Sequence, residues 1–198
     1  FIHKAEAQHS MAQDSHIEKV LWTSDQISER VVELARDIVK DFGSVPTHPV
    51  LFVGVATGAF VFLADLVRQV SIPVAVDFVR VESYGSGTES TRAPRISLQL
   101  KIDVNGRDIV LVEDIVDTGN TVSCIIEQLK SQGASSVSVC ALLDKPSRRE
   151  VRFELLGAGK YYKGFECPNH FVVGYGMDFA EQYRNLPYIG VLKPDYYT

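Results

Sequence analysis

Apolar runs and segments with helical spacing alternate through the middle of this chain. Residues 50–55, 108–114 and 137–143 are rich in apolar side chains, and a helical pattern follows the first two of these runs. Such runs are typical of strands buried on both faces, and strands that alternate with helices form parallel sheets. The sequence therefore predicts an α/β fold: a mainly parallel, twisted sheet flanked by helices, with a further small lobe.

Local signals place individual elements along the chain. Thr23 and Gln26 have the spacing of a capping box, so a helix is expected to begin at Thr23. A second helix is expected after residue 59, with a predicted buried stripe of Phe60, Leu63, Val67 and Val70. A third is expected over residues 120–132, with an inward side of Val122, Ile125, Ile126 and Leu129. Residues 95–101 alternate between polar and apolar side chains, as in a half-exposed strand.

Charge and composition exclude several classes of protein. The 20 Lys and Arg residues against 25 Asp and Glu give a net charge of −5, whereas proteins that bind duplex nucleic acid need a concentrated basic surface. No apolar run approaches the roughly 20 residues that span a bilayer. The cysteines Cys124, Cys140 and Cys167 lack C-x-x-C spacing, so reduced thiols are expected. We therefore expect a cytoplasmic protein whose partners include neither nucleic acid nor a membrane.

The chain is expected to form one domain. Residues 1–10 are polar, lack the apolar core of a signal sequence and end just before the first methionine, so we interpret them as a remnant of expression or processing. Residues 11–198 are interpreted as a single domain with a core at about 47–146. A small lobe, which we name the hood, is expected from about 11–22 together with 147–198, where aromatic residues and short strand-like runs are frequent.

Residues 110–121 carry the strongest indication of chemistry. A buried strand is expected to end in the adjacent carboxylates of Glu113 and Asp114, and a helix begins after a short loop. Ligands bind at the carboxyl ends of strands in open α/β sheets, and a helix N-terminus favours a phosphate. The amides of residues 117–121 would therefore hold a phosphate, while the two carboxylates would accept hydrogen bonds from a sugar diol.

The composition of this loop suits a ribose 5-phosphate. Thr118 and Thr121 add hydroxyl donors, and Gly119 lets an anion approach the backbone closely. An Asp-rich loop that only caps a helix is the alternative. Burying Glu113 and Asp114 without a polar ligand or a cation would, however, be costly. The P-loop pattern G-x-x-x-x-G-K-[ST] does not occur in the chain.

This segment resembles the phosphoribosyl-diphosphate (PRPP) signature of type I phosphoribosyltransferases. From about Ile17 to the C-terminus, the chain is similar to hypoxanthine-guanine phosphoribosyltransferases. The motifs that carry this similarity are Gly54–Gly58, Ser83-Tyr84, residues 110–121, Leu143–Lys145, Gly164–Glu166, Phe171–Asp178 and Tyr183-Arg184. The Phe171–Asp178 string is typical of enzymes for 6-oxopurines, and the Gly-Val-Ala-Thr-Gly-Ala loop resembles that of plant members. The resemblance implies the type I phosphoribosyltransferase fold with a small hood.

The resemblance also implies an activity in purine salvage. A Mg²⁺-dependent enzyme would transfer the 5-phosphoribosyl group from PRPP to N9 of hypoxanthine or guanine, giving IMP or GMP and pyrophosphate. Relatives are homodimers or homotetramers, so a homo-oligomer is expected. Two alternatives stay open at this point: a nucleotide-binding regulator of RNA built on the same fold, and an enzyme that also accepts xanthine.

Roles follow from the same resemblance, residue by residue. Asp117 would be the catalytic general acid/base at purine N7. The ribose and 5′-phosphate of PRPP would be bound by Glu113, Asp114, Asp117, Thr118, Gly119, Asn120 and Thr121. Pyrophosphate would be bound by Thr57, Gly58 and Arg184, and the purine by Lys145, Phe171, Val172 and Asp178. The metal would lie at Glu113, Asp114 and Asp178, and a lid would contain Ser83 and Tyr84.

Some of these positions have a second interpretation. Many relatives carry Lys where this chain has Thr57, and in this family the Thr57-Gly58 peptide can be cis. The Lys145 ammonium can donate to a purine carbonyl O6 but cannot satisfy an amino group, although a solvated lysine is the alternative. Phe171 is equally expected as a core aromatic. Residues 148–149, both arginine, are interpreted as part of a solvated loop.

Overall fold

The computed structural model describes residues 13–43, 48–82, 95–97 and 99–197. Within these ranges the α-helices are α1 (Ser24–Phe42), α2 (Phe60–Gln69) and α3 (Asn120–Ser131). Its strands are β1 (Ile17–Trp22), β2 (Val50–Ala56), β3 (Val74–Glu82), β4 (Arg95–Ser97), β5 (Asp108–Val116), β6 (Ser136–Asp144), β7 (Tyr161–Glu166), β8 (Val172–Val173) and β9 (Ile189–Leu192). The expectations for residues 1–10, for the lid at Ser83 and Tyr84, and for side chains of residues 95–98 lie outside what is described.

The large sheet has the strand order β4-β3-β2-β5-β6-β7. Strands β3, β2, β5, β6 and β7 are parallel, and only β4 at the edge runs antiparallel to its neighbour. The predicted α/β fold with a mainly parallel sheet is therefore confirmed. Since parallel strands end at the same edge of a sheet, the ends of β2, β5 and β6 are brought together there.

Helices cover both faces of this sheet. Alternate residues of β5 point to opposite sides: Val110 and Val112 pack in the core under α1 and α2, whereas Ile109 and Leu111 pack in the core under α3. Every residue of β6 is buried. Burial on both faces explains why these strands read as continuous apolar runs.

The helix predictions succeeded at α1 and α3 and failed in part at α2. Thr23 caps α1 with the predicted capping box, and the four residues expected on the inward side of α3 are all buried. In α2, by contrast, Phe60 is 42% exposed and the buried residues are Phe62, Leu63 and Leu66. Leu63 is thus buried as predicted, and Val67 and Val70 pack against the core while partly exposed, although Val70 lies beyond the helix end. The prediction was wrong for Phe60.

The hood contains a separate antiparallel sheet with the order β1-β9-β8. Strand β1, near the start of the chain, pairs with β9 near its end. Strand β7 does not belong to this lobe, because it pairs in parallel with β6 in the large sheet. Assigning the whole of 147–198 to the hood was therefore wrong for β7. The connection from β6 to β7 contains only a short 3-10 turn, Pro146–Arg148, and lacks the helix that normally signals a parallel crossover.

None of the helices in the described part of the chain combines the length and the apolar character that crossing a membrane requires.

Candidate functional site

The loop after β5 forms a small cavity at the N-terminus of α3. Strand β5 continues to Val116, two residues beyond its predicted end. Glu113 and Asp114 therefore lie within the C-terminal part of the strand and not directly after it. The cavity has a volume of about 70 Å³ and is lined by Glu113, Ile115, Val116, Asp117, Thr118, Gly119, Thr121 and Val122. Five of the seven residues predicted to bind ribose phosphate thus line one cavity, next to the positive end of a helix dipole.

Gly119 gives this loop its shape. Its φ of +88° lies in the left-handed region, and a Cβ at this position would lie 2.4 Å from the carbonyl oxygen of Val151. Both facts exclude other residues from the position. The neighbouring Thr118 hydroxyl accepts hydrogen bonds from the backbone amide and the side chain of Asn120, at 3.4 and 3.2 Å. The loop therefore turns sharply into α3 on a single glycine.

The carboxyl groups of Glu113 and Asp114 are buried and poorly compensated. Glu113 is 7% exposed, and its Oε2 has no hydrogen-bond partner among the described residues. Burial raises the pKa of Glu113 well above its usual range, and the charge of Asp114 raises it further. Burial also raises the pKa of Asp114 to about 6, although backbone amides and the charge of Arg184 oppose that shift. Such carboxylates favour a cation or hydroxyl donors as ligands.

The β2–α2 loop approaches Asp114 from the next strand. The bond between Ala56 and Thr57 is cis, one peptide earlier than the resemblance implied. A Cβ on Gly58 would lie 2.0 Å from Asp114 Oδ2, so the glycine backbone lies directly against this carboxylate. On its other side, a Cβ on Gly176 of the hood would lie 2.4 Å from the Gly58 carbonyl oxygen. Gly58 therefore lies between the β5 carboxylates and the hood.

A larger cavity of about 430 Å³ opens between β5 and the hood. It is lined by Asp114, Ile115, Asp117, Lys145, Arg148, Asn169, His170, Phe171, Val172, Met177 and Asp178. It shares Ile115 and Asp117 with the smaller cavity. The four predicted purine-binding residues all line it, whereas Thr57 and Arg184 line neither of these two cavities.

Lys145 and Phe171 occupy positions suited to a planar ligand. Lys145 is 8% exposed, and its Nζ donates to the His170 carbonyl at 2.6 Å, so the interpretation as a solvated lysine was wrong. The ring of Phe171 is 39% exposed and stacks on Tyr197, with ring centroids 4.7 Å apart. Phe171 is therefore not a core aromatic, and its ring lies at the wall of the larger cavity.

Arg184 is held beside Asp178 by several contacts. Its Nη1 lies 3.0 Å from Asp178 Oδ1 and donates to the Gly176 carbonyl at 2.9 Å. Asp178 also accepts a hydrogen bond from the backbone amide of Glu181. The guanidinium thus lies near Asp178 and Gly176, the hood residue that packs against Gly58, and its charge reaches Asp114.

Sequence reasoning missed the two arginines after Lys145. The Nε of Arg148 lies 3.2 Å from Asp117 Oδ1, so this side chain faces the candidate catalytic carboxylate. The side chain of Arg149 is only 16% exposed and pairs with the buried Asp144. The interpretation as a solvated loop was wrong for Arg149. The available signal was Asp144 directly after the apolar run of residues 139–143, because a buried carboxylate requires a cationic partner.

The donor set fits Mg²⁺. The described residues contain no group of three or more His, Cys, Asp or Glu side chains that could hold a metal by themselves. Mg²⁺, however, usually takes only one or two carboxylates and completes its coordination with water and substrate phosphates. The Oε2 of Glu113, which has no partner in the part of the chain described, and the buried carboxyl of Asp114 are oxygen donors of this kind.

Comparison with known proteins identifies the family. Residues 23–180 match the phosphoribosyl transferase domain. The chain belongs to the phosphoribosyltransferase family. The bifunctional protein TilS/HprT of Listeria monocytogenes is 44% identical over 183 residues, which cover 92% of this chain and 27% of that protein. This phosphoribosyltransferase chain therefore spans only 27% of the length of that relative.

Other relatives of this phosphoribosyltransferase match over nearly their full length. The hypoxanthine-guanine phosphoribosyltransferase of Bacillus subtilis is 43% identical over 181 residues, covering 91% of this chain and 96% of that protein. A crystal structure of a hypoxanthine phosphoribosyltransferase from Staphylococcus aureus has a TM-score of 0.85 at 37% identity, covering 96% of this chain and 100% of that one. The resemblance and the fold inferred from sequence motifs are confirmed.

Proposed function

We propose that this chain is a purine-salvage enzyme that transfers the 5-phosphoribosyl group of PRPP to N9 of hypoxanthine or guanine. The products would be IMP or GMP and pyrophosphate. The observation that carries the proposal is the pair of adjoining cavities that share Ile115 and Asp117. One is a small polar cavity at a helix N-terminus and suits a phosphate, and the other has a buried lysine and an exposed aromatic ring and suits a 6-oxopurine.

The proposed reaction is a displacement at C1′ of the ribose. The lone pair of purine N9 bonds to C1′ while the bond from C1′ to the pyrophosphate oxygen breaks, and pyrophosphate leaves with that electron pair. The proton on purine N7 passes to the carboxylate of Asp117, which lines both cavities. Glu113 and Asp114 accept hydrogen bonds from the ribose hydroxyls, and their negative charges favour the positive charge that develops at C1′.

The leaving group would be bound at the junction of the β2–α2 loop and the hood. Backbone amides of Thr57 and Gly58 would donate to pyrophosphate oxygens, and the Arg184 guanidinium supplies positive charge beside them. Asp114, with Glu113 beside it, would lie close to one Mg²⁺ ion, and Asp178 would lie close to a second ion that accompanies pyrophosphate. When bound, these ions would neutralise the negative charge that pyrophosphate gains as it departs. A lid that contains Ser83 and Tyr84 is part of this proposal, as closure would exclude water from the reaction.

Base recognition is assigned to Lys145, Phe171, Val172 and Asp178. The ammonium of Lys145 would donate to purine O6, and the ring of Phe171 would stack on the base. The backbone of Val172 and Asp178 would form hydrogen bonds with the purine edge that carries N1 and the 2-substituent. Adenine carries an amino group in place of O6, so Lys145 would face a donor without an acceptor. An unsatisfied buried donor costs about 1–3 kcal/mol, which corresponds to about 5- to 150-fold in discrimination.

The Lys145→Gln variant tests this assignment. A glutamine carries both a carbonyl oxygen and an amide donor, so discrimination against adenine should fall by about tenfold. The measurement is the ratio of kcat/KM for hypoxanthine to that for adenine in the variant and the wild type. An unchanged ratio in a folded variant would mean that another group reads position 6 of the purine.

The whole proposal is tested by steady-state nucleotide formation with PRPP and Mg²⁺. Hypoxanthine, guanine, xanthine and adenine are offered separately, and the reaction is repeated with EDTA. Turnover of hypoxanthine and guanine, lost on chelation and restored by added Mg²⁺, is the expected result. Absence of turnover with all four bases would contradict the proposal.

The setting of the enzyme is part of the same proposal. We propose a single catalytic domain at residues 11–198 that acts in the cytoplasm as a homodimer or homotetramer. Cys140 and Cys167 form no disulfide within the described part of the chain, which supports a reducing compartment. Large apolar side chains that are exposed on α2 and β3, namely Phe60, Val76 and Phe78, support association between copies. Sedimentation equilibrium of the purified chain gives its oligomeric state directly.

A further inference from the structure

Behind the phosphate loop lies a polar cluster that has no part in the mechanism above. It consists of Asp144 at the end of β6, Arg149 in the following loop and Tyr161 at the start of β7. The side chains of Arg149 and Asp144 form an ion pair and are 16% and 10% exposed. Tyr161 donates its hydroxyl to Asp144 at 2.9 Å, and the ring of Phe153 lies 5.4 Å from the Arg149 guanidinium.

Arg149 contacts both ends of the loop that would bind the 5′-phosphate. Its Nη2 donates to the Val116 carbonyl at 3.3 Å, at the last residue of β5. At the other end, a Cβ on Gly119 would lie 3.1 Å from Arg149 Cδ and 3.4 Å from Nη1. The guanidinium therefore packs against the glycine that turns the chain into α3.

Backbone hydrogen bonds from the same segment engage the carbonyl groups of the loop. The amides of Glu150 and Val151 both donate to the Thr118 carbonyl at 3.0 Å, and the amide of Lys145 donates to the Val116 carbonyl at 2.9 Å. A peptide unit is planar, so fixing its carbonyl also fixes the direction of its N–H group. The segment from Lys145 to Val151 thus determines how the amides of the loop are oriented.

Stability alone is a poor explanation of the cluster. A buried ion pair contributes little net stability compared with apolar side chains of similar size, because both charges lose their hydration. Arg149 also leaves its Nε buried without a partner among the described residues. A chain that required only a stable loop here would gain more from apolar packing than from this ion pair.

We propose that Arg149 is a positioning residue that fixes the 5′-phosphate loop by bridging Asp144 to the Val116 carbonyl and packing on Gly119. This inference rests on the proposed function, because the ligand of the loop is taken to be the phosphate of PRPP. Arg149 touches no reacting atom. Its loss therefore weakens phosphate binding and leaves base binding and the chemical step unchanged.

The Arg149→Lys variant provides the test. Lysine keeps a positive charge beside Asp144, but it lacks the planar guanidinium that packs on Gly119 and whose Nη2 donates both to Asp144 and to the Val116 carbonyl. The KM for PRPP should rise about tenfold, which is the effect of losing one charge-assisted hydrogen bond, while kcat and the KM for hypoxanthine stay at their wild-type values. Arg152→Lys is the matched control, since Arg152 is exposed and lies three residues away. Equal kinetic constants in Arg149→Lys and wild type would overturn the proposal.

Direct binding separates positioning from loss of stability and from failure of the proposed function. Calorimetric titration of ribose 5-phosphate should give a dissociation constant about tenfold higher in Arg149→Lys than in wild type and Arg152→Lys. Phe153→Leu, which loosens the guanidinium without removing a charge, should raise it by a smaller factor even if Arg149→Lys fails to fold. Wild-type affinity in Phe153→Leu, or a parallel rise in the KM values for PRPP and hypoxanthine, would overturn the proposal. A wild-type chain that binds no ribose 5-phosphate would instead refute the proposed function.

Discussion

At the scale of single residues, the site gathers charge that the ligand-free protein does not neutralise. Glu113 is buried and its Oε2 has no partner within the described ranges, and Asp114 lies beside it with a raised pKa. Each carboxylate loses hydration on folding, which the backbone amides and the charge of Arg184 offset only in part at Asp114. The empty site is therefore less stable than an apolar replacement would be, and binding of substrates and Mg²⁺ should stabilise the fold.

The Glu113→Gln variant should show how the buried carboxyl of Glu113 makes the stability of the protein depend on pH. The raised pKa of Glu113 means that its carboxyl favours the folded state below the ordinary carboxyl pKa, and that this contribution is lost as pH rises through the raised value. The melting temperature of the ligand-free wild type should therefore fall between pH 5 and pH 8. The variant should fall less, by a few degrees, which is the shift that about 1 kcal/mol produces in a chain of this length. Differential scanning calorimetry at both pH values measures this difference, and parallel curves would contradict it.

Asp117→Asn should separate chemistry from binding. Asparagine occupies the same space but cannot accept the N7 proton, so kcat should fall by about 100-fold or more, the usual contribution of general acid/base catalysis. The KM for PRPP should change little, because the phosphate is bound by backbone amides of the loop. Steady-state kinetics at saturating hypoxanthine gives both constants. A wild-type kcat would remove Asp117 from the mechanism.

At the scale of elements, the site depends on the β2–α2 loop, whose glycine backbone lies against both the core and the hood. Gly58 of the β2–α2 loop contacts Asp114 on one side and Gly176 of the hood on the other. Gly176 has a φ of +100° and is linked to Arg184 by hydrogen bonds in both directions. The loop that would bind pyrophosphate is therefore placed by contact with the Asp114 carboxylate on one side and with the hood backbone at Gly176 on the other.

Gly58→Ala should disrupt this junction. The new Cβ would lie 2.0 Å from Asp114 Oδ2, so either the carboxylate or the loop must move. Overpacking of this kind costs about 1–3 kcal/mol, and kcat/KM for PRPP should fall about tenfold or more. Gly106→Ala is the matched control, because Gly106 has a φ of +69° but no atom near its Cβ position. The control should lose stability and keep its activity, and equal activity in both variants would refute the prediction.

The sequence predicts features that depend on neighbouring residues, and it does not predict contacts between residues that are far apart in the chain. The loop at 117–121 and helix α3 were predicted well, because a buried strand, a turn glycine and an amphipathic helix each leave a pattern within a few residues. Strand β7 was missed, because it enters the sheet through pairing with β6 across a connection without a helix. The ion pair of Arg149 with Asp144 was missed for a related reason: the burial of both side chains arises from Tyr161 and Phe153 and leaves no periodic signal.

At the scale of the whole molecule, α1 joins distant parts of the chain. It packs on α2 and on β7 at the edge of the large sheet, and Arg30 donates to the carbonyls of Lys163 and Gly164. At its C-terminal end, Asp41 accepts hydrogen bonds from Lys160 at 2.5 Å and from Tyr162 at 2.8 Å. These contacts connect the first helix to the last strand of the sheet, more than one hundred residues later.

Asp41→Asn should weaken this connection in a pH-dependent way. The hydrogen bond from Lys160 lowers the pKa of Asp41, helped by Tyr162 and by nearby positive charge, while burial opposes the shift. The contribution to stability is therefore present above the ordinary carboxyl pKa and is lost as pH falls through the lowered value. The variant should be less stable than wild type at pH 7 by about 1 kcal/mol or less, as is usual for a partly exposed pair, and the difference should shrink toward pH 3. Urea unfolding at both pH values measures this, and a difference that grows on acidification would contradict it.

The hydrogen bond from the Lys145 amide to the Val116 carbonyl has a further consequence for which molecules the enzyme accepts. The residue that faces the base and the strand end that starts the phosphate loop belong to one hydrogen-bonded unit, so the two cavities cannot move apart independently. The distance between the two cavities is therefore fixed, and it selects ligands by the separation of their base and phosphate. A ligand whose base and phosphate are separated as in a nucleoside monophosphate fills both cavities at once, whereas one with a longer or shorter spacer must leave one of them empty.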